Sequence, residues 1–258
     1  MRLSFNDMKN NSSNEESLIP FDKTSIEKRI ESRKLAIKDS DLNITTNQTK
    51  LELIYFFDAS PSVEGTEKVM AEKFYSQITK LRTRKDIIVT LIVFDYHDEI
   101  LYYRQKGKDI KYTTYHIGIG TALYDSVTKN LKKIKEDQVK NGEPQHKTIV
   151  TIMTDGGNNR HYEYDVKDFR ETIKECKEAG WEFVYLAATE EAYRPANLLG
   201  FDKENVCLYD YRISADNAFS AVEKAIDEYD ESGKVSNGWK KILALSSGEE
   251  KWKITMQY

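Results

Sequence analysis

Three short runs of this chain are almost unbroken in apolar residues, and they set the terms for everything else. Leu51 to Phe57 reads Leu-Glu-Leu-Ile-Tyr-Phe-Phe, Ile87 to Phe94 reads Ile-Ile-Val-Thr-Leu-Ile-Val-Phe, and Lys147 to Met153 carries a third run. Seven or eight residues rich in β-branched and aromatic side chains, without alternation, suit strands buried on both faces. The stretches between them have a different period. Met70, Phe74, Ile78 and Leu81 fall on one side of a helix over Glu67 to Leu81, and helical patterns recur over Ala122–Ile134, Asp165–Glu178 and Ser214–Tyr229. Gly180 stands where a helix C-terminus is expected, and Ser214 or Asp216 is read as the cap of the last helix. Trp181–Ala187 and Asn205–Tyr209 supply two more strands. Asp95 to Asp98, with His97 inside it, reads as a hairpin turn into a return arm over Glu99–Tyr103.

Strands alternating with amphipathic helices imply an α/β fold, a mostly parallel sheet covered on both faces, here with one antiparallel strand. The pattern occupies residues 50–230. Residues 1–49 read as a polar N-terminal extension, with one charged helix over Asp22–Lys38, and 231–258 as a C-terminal extension containing Trp239 and Trp252. These extensions are the candidate places for docking a partner or another copy. The Tyr102, Tyr103, Tyr112 and Tyr115 group is expected to pack a strand edge and its loop against the domain.

Composition narrows the partners. Charged residues are 32% of the chain, yet the net charge is only −4 and no basic block stands out, so nucleic acid is not expected as the main partner. The first twenty residues hold no apolar core of signal-peptide length. No apolar run approaches the roughly 20 residues that cross a bilayer, so no membrane association is expected. Cys176 and Cys207 lie in apolar patterns and read as buried free thiols. The expectation is a cytoplasmic protein.

In open α/β sheets ligands meet the carboxyl ends of the strands. After the first strand comes Asp58-Ala-Ser60-Pro-Ser62, after the fourth Thr154-Asp155-Gly156-Gly157, and before the second large helix Gly118-Ile-Gly120-Thr121. Asp58, Ser60, Ser62, Thr121 and Asp155 are all oxygen donors, with no competing His or Cys. Such a set suits a hard divalent cation. Each piece also has an ordinary explanation: Asp58, Ser60 or Thr121 as a helix cap, Asp155-Gly156 as a turn. Their joint occurrence at three junctions favours a single site.

These motifs resemble the three signatures of von Willebrand factor type A domains: Asp-x-Ser-x-Ser, Gly-Thr-Ala-Leu and Thr-Asp-Gly, in the expected order over residues 50–230. The phrases Ile152-Met-Thr-Asp155-Gly and Trp181-Glu-Phe-Val-Tyr-Leu-Ala187 look like the stand-alone bacterial and phage members. The resemblance implies a Rossmann-like three-layer α/β/α fold, with six strands ordered 3-2-1-4-5-6. It implies a metal-ion-dependent adhesion site in which Ser60, Ser62 and Thr121 contact Mg²⁺ (or Mn²⁺ or Ca²⁺), and Asp58 and Asp155 bind directly or through water. It further implies a protein partner presenting a carboxylate to the metal, with the chain acting as an adaptor or scaffold in an assembly. Pro61 stands where Gly is common and Val63 where Met is frequent, which alters the neighbouring surface. Asn158, Arg160, His161 and His116 are the candidate partner-contacting residues. No Ser-His-Asp order, phosphate-cradling glycine loop or second carboxylate cluster accompanies the site. Binding is therefore expected rather than catalysis, the alternatives being a metal-dependent hydrolase or phosphotransferase and a purely structural subunit.

Overall fold

The computed structural model describes residues 50–143, 146–159, 163–193, 196, 198–209 and 211–243. The charged helix expected over Asp22–Lys38, as well as Arg160, His161 and Trp252, lies outside the described residues. The elements run β1 (Leu51–Asp58), α1 (Glu67–Leu81), β2 (Ile87–Phe94), β3 (Asp98–Lys106), α2 (Leu123–Lys140), β4 (Lys147–Thr154), α3 (Val166–Glu178), β5 (Glu182–Ala187), the single turn α4 (Glu190–Tyr193), β6 (Val206–Leu208) and α5 (Tyr211–Ser232).

The six strands form one sheet in the order β3-β2-β1-β4-β5-β6. All neighbours are parallel except β2 and β3. This is the order and the single antiparallel edge expected above. Because β1 sits in the middle, every one of its residues is buried, and its two faces feed two separate cores. Leu53, Tyr55 and Phe57 pack with Phe74 and Ile78 of α1 and with Val222 and Ile226 of α5. Ile54 and Phe56 pack with Val127 and Leu131 of α2 and with Phe169 and Ile173 of α3. The period of two along a strand thus builds an α/β/α sandwich.

One buried polar link ties three elements of the first core together. The Tyr55 hydroxyl donates to Gln77 Oε1 at 2.7 Å, and Gln77 Nε2 donates to the Phe219 carbonyl at 2.6 Å, which links β1, α1 and α5. Cys176 and Cys207 are free and buried. Burial pushes both thiols up to about 12, so neither carries the thiolate that reactivity requires. Tyr102 and Tyr115 sit in the core against Phe74 and Phe57, as the packing reading of the tyrosine group expects.

Several boundaries differ from the pattern reading, each for a physical reason. The final helix begins at Tyr211, so Ser214 and Asp216 lie inside it rather than capping it; Asp216 pairs instead with Lys73 of α1. Helix α2 continues past Ile134 to Lys140, because Gln138 is buried and donates to Glu52 and Thr148. Strand β3 runs on to Lys106 through an irregularity in its pairing with β2. Trp239 is also not available to a partner. It is buried beside Val235 and Leu243 in the α1–α5 core, and its indole donates to the Glu204 carbonyl at 3.2 Å.

Arg104 at that irregularity has φ 45°, the left-handed region that non-glycine residues rarely adopt. The position aims its guanidinium at Glu52, which is 0% exposed: Nε donates to Oε1 at 2.8 Å and Nη2 to Oε2 at 3.1 Å. Replacing Arg104 by Ala leaves that carboxylate buried without its cation, a loss of about 3–5 kcal/mol. In urea denaturation Arg104→Ala is expected to move the midpoint down sharply, and Glu52→Gln in the same chain to recover part of it. Equal midpoints for wild type and Arg104→Ala would show that the pair adds no stability.

Candidate metal centre

The site is assembled where parallel strands β1 and β4 end side by side, with Phe57 opposite Met153 in the register. Asp58 therefore lies next to Thr154. The Thr154 hydroxyl donates to Asp58 Oδ2 at 2.6 Å, and the Ser60 amide donates to Asp58 Oδ1 at 2.8 Å. Both carboxylate oxygens of Asp58 are thus fixed by neighbours. The chain then turns through one 3-10 turn, Pro61–Val63, and Ser60 makes no capping bond to it. The helix-cap reading of Asp58 and Ser60 does not hold here, because α1 begins only at Glu67. Instead the Ser60 and Ser62 hydroxyls lie 3.0 Å apart, and Ser62 Oγ donates to Asp155 Oδ1 at 2.9 Å. A hydrogen-bonded chain of hydroxyls joins the two carboxylates.

Thr121 comes in on a third loop that is stitched to both of the others. The Gly118 amide donates to the Ala59 carbonyl at 2.8 Å, which holds the loop against the Asp58–Ser60 turn. The Thr121 amide donates to Asn159 Oδ1 at 2.8 Å, and the Asn159 amide donates back to the Thr121 carbonyl at 3.1 Å. Thr121 does not cap α2; Ala122 is the capping residue and uses no side-chain bond. Part of that duty passes to Asn158, whose Oδ1 accepts from the Tyr124 amide at 3.0 Å. Asn158 therefore serves the loop-to-helix contact. Asp125 Oδ1 accepts from the Glu163 and Tyr164 amides, tying the far end of the same loop. His116 is exposed.

Asp95 is the residue that pattern reading passed over. Its Oδ1 accepts from the His97 amide at 2.7 Å and its Oδ2 from the Ile119 amide at 2.9 Å, while its carbonyl accepts from Ala122 at 2.6 Å. The carboxylate fits only because residue 118 is Gly: a Cβ there would lie 1.4 Å from Asp95 Oδ2. Gly120 has φ +77°, and a Cβ there would lie 1.7 Å from Tyr96 Cε1. Both glycines are steric necessities of this loop.

The donor set fits a hard divalent cation. Asp58 is 5% exposed, Asp155 7% and Thr121 3%. Burial pushes the Asp58 carboxyl up, with the charge of Asp155 acting the same way, against the hydrogen bonds from Thr154 and Ser60 that lower it. A positive charge between the carboxylates would relieve that penalty. Thr121, although almost buried, makes no side-chain hydrogen bond among the described residues, which leaves its hydroxyl for a ligand. Among the described residues no three His, Cys, Asp or Glu side chains cluster as metal ligands. An ion here would rest on two carboxylates and three hydroxyls, a set that suits Mg²⁺ rather than a soft metal.

No family model and no curated protein matches this chain. Among solved structures it is similar to VWA2, an ArnB paralog from Sulfolobus acidocaldarius, at 18% identity and TM-score 0.45, covering 67% of this chain and 45% of that one. It is also similar to proximal thread matrix protein 1 from the mussel byssus with a zinc-occupied MIDAS motif, at 15% identity and TM-score 0.45, over 69% and 46% of the two chains. A third is the manganese-loaded TRAP protein of Plasmodium vivax, at 15% identity and TM-score 0.46, over 64% and 70%. The chain thus spans less than half the length of the first two.

The Asp95 anchor can be tested without any ligand. A hydrogen bond to a charged acceptor contributes about 1.5–3 kcal/mol, so Asp95→Ala is expected to speed hydrogen exchange at the Ile119 amide by at least about tenfold. Asp95→Asn, which keeps one acceptor oxygen, should speed it less. Unchanged exchange at Ile119 in both variants would mean that the loop is held by other contacts.

Proposed function

We propose that this chain is a von Willebrand factor type A domain whose site at Asp58, Ser60, Ser62, Thr121 and Asp155 binds Mg²⁺ and, through it, an acidic group of a partner protein. The observation that carries the reading lies on a single strand. Both Glu52 and Asp58 of β1 are buried carboxylates. Glu52 meets the guanidinium of Arg104. Asp58 meets only hydroxyl and amide donors, and among the described residues no Lys, Arg or His forms an ion pair with it. Among the described residues a cation is supplied at one end of the strand and none at the other, which supports balancing Asp58 with a bound ion.

When bound, the ion would supply a Lewis-acidic position able to accept an outside carboxylate. Ser60, Ser62 and Thr121 would hold it with neutral oxygens, and Asp58 and Asp155 would provide the negative charge directly or through water. Neutral hydroxyl ligands leave more of the ion's charge available to an incoming anion than carboxylates would.

Recognition at the surface is favoured over catalysis on a small molecule. A small cavity of about 10 Å³ touches Asp58 and Asp155 from the side of Met70, Tyr115 and Tyr209, room for about one water. On the opposite side Ser62 is exposed, where a protruding side chain of a partner can reach it. Among the described histidines, His97 lies in the β2–β3 turn, His116 is exposed, and His146 stands at the opposite end of the sheet beside Glu52. Asn158, His116, Arg160 and His161 remain the proposed partner contacts. No helix among the described residues is long and apolar enough to cross a membrane, and with two buried thiols the proposed setting is an adaptor or scaffold inside a bacterial or phage-infected cell.

Affinity capture from the source cell, in Mg²⁺ and in EDTA, tests the reading. Capture of a discrete partner in Mg²⁺ and its release by EDTA are expected. Asp58→Ala and Thr121→Ala should each weaken Mg²⁺ binding by at least about tenfold, the loss of one ligand or of a group that orients a ligand being of that size, with the circular dichroism spectrum unchanged. Partner capture that survives EDTA would overturn it in favour of a purely structural role. Asp155-dependent turnover of phosphate esters would overturn it in favour of an enzyme.

A further inference from the structure

Between Gly118 and Gly120, Ile119 is 63% exposed. A lone exposed isoleucine is ordinarily unremarkable. This one is held in place. Its amide is fixed to Asp95, the residues on either side admit no Cβ, and the loop ends are bonded to Ala59, Asp95 and Asn159. The backbone is therefore immobilised while the side chain is left outside both cores. Ile119 also stands two residues from Thr121, so their Cα atoms are at most about 7 Å apart. That is the distance from an acidic residue to a neighbour one or two places along an extended segment.

We infer that Ile119 is a specificity-determining contact, and that the partner segment carries its acidic residue next to a large aliphatic or aromatic side chain. The inference rests on the metal-recruitment reading above and deepens it. An acid in a polar context would leave Ile119 in water; an acid followed by Leu, Ile, Phe or Met would cover it. Since the loop is already ordered, burying this side chain adds affinity with little further loss of conformational freedom.

The probe is a displayed library of linear peptides with one fixed Asp and randomised flanking positions, panned on the full chain in Mg²⁺ and eluted with EDTA. The wild-type EDTA-released pool is expected to be enriched roughly fivefold or more in aliphatic and aromatic residues within two places of the Asp, the factor that covering one such side chain gives. Ile119→Ser should lose that enrichment while its Mg²⁺ affinity stays at the wild-type level; Ile119→Leu should retain it. Wild-type and Ile119→Ser pools of the same composition would overturn the inference and leave metal recruitment standing. An EDTA-released pool no larger than that of Asp58→Ala would overturn the recruitment reading, and this inference with it.

Discussion

The parallel pairing of β1 with β4 is the contact on which the candidate centre depends. Once Phe57 lies opposite Met153, Asp58 and Thr154 must end side by side, and Asp155 follows one residue later. Crossover connections make this pairing possible, because α1 and α5 cover one face and α2 and α3 the other. The hydroxyl chain from Ser60 through Ser62 to Asp155 is then a local consequence. A one-residue slip between β1 and β4 would reverse the inward and outward faces of a strand buried on both sides, so packing alone holds the register. The centre is fixed by the core beneath it.

Charge is handled differently at the two ends of that central strand. Near its start, Glu52 is satisfied by Arg104 and by Gln138 Nε2 at 2.8 Å. Reaching Glu52 requires Arg104 to adopt a left-handed backbone, a conformation that costs roughly 1–3 kcal/mol and persists only where its surroundings demand it. At the other end, among the described residues, no guanidinium pairs with Asp58. The difference follows from position: a carboxylate below the helices can be balanced permanently, while one at the carboxyl end faces the surface where ligands arrive.

Much of the fold could be read from the chain because buried strands announce themselves in runs such as Ile87–Phe94, and the amphipathic stretches between them carry a distinct period. The five oxygen donors were legible for a related reason: each sits within a few residues of a strand or helix end. What escaped the pattern acts through space. Asp95 reads as an ordinary turn residue, since nothing near it in sequence reveals that its carboxylate fills the space where residue 118 lacks a Cβ. Asn159 likewise matters only because it meets Thr121. Ser214 and Asp216 have the chemistry of caps, yet the helix already begins at Tyr211, and Asp216 pairs across with Lys73. Trp239 lay in a segment without periodicity, yet long-range burial claims it.

The loop carrying Thr121 bears on how tightly such a site can bind. Its amides are engaged by Ala59, Asp95 and Asn159 before any ligand arrives, so its donors need little rearrangement when one does. A flexible loop with the same residues would lose affinity to ordering, by about 0.5–1.5 kcal/mol for each mobile side chain immobilised. Here that ordering is done during folding, at the level of Gly118, Gly120 and Asp95, residues that need not touch the ligand at all. Precision at the surface is thus set one layer below it, by groups whose only visible role is to make a small loop rigid.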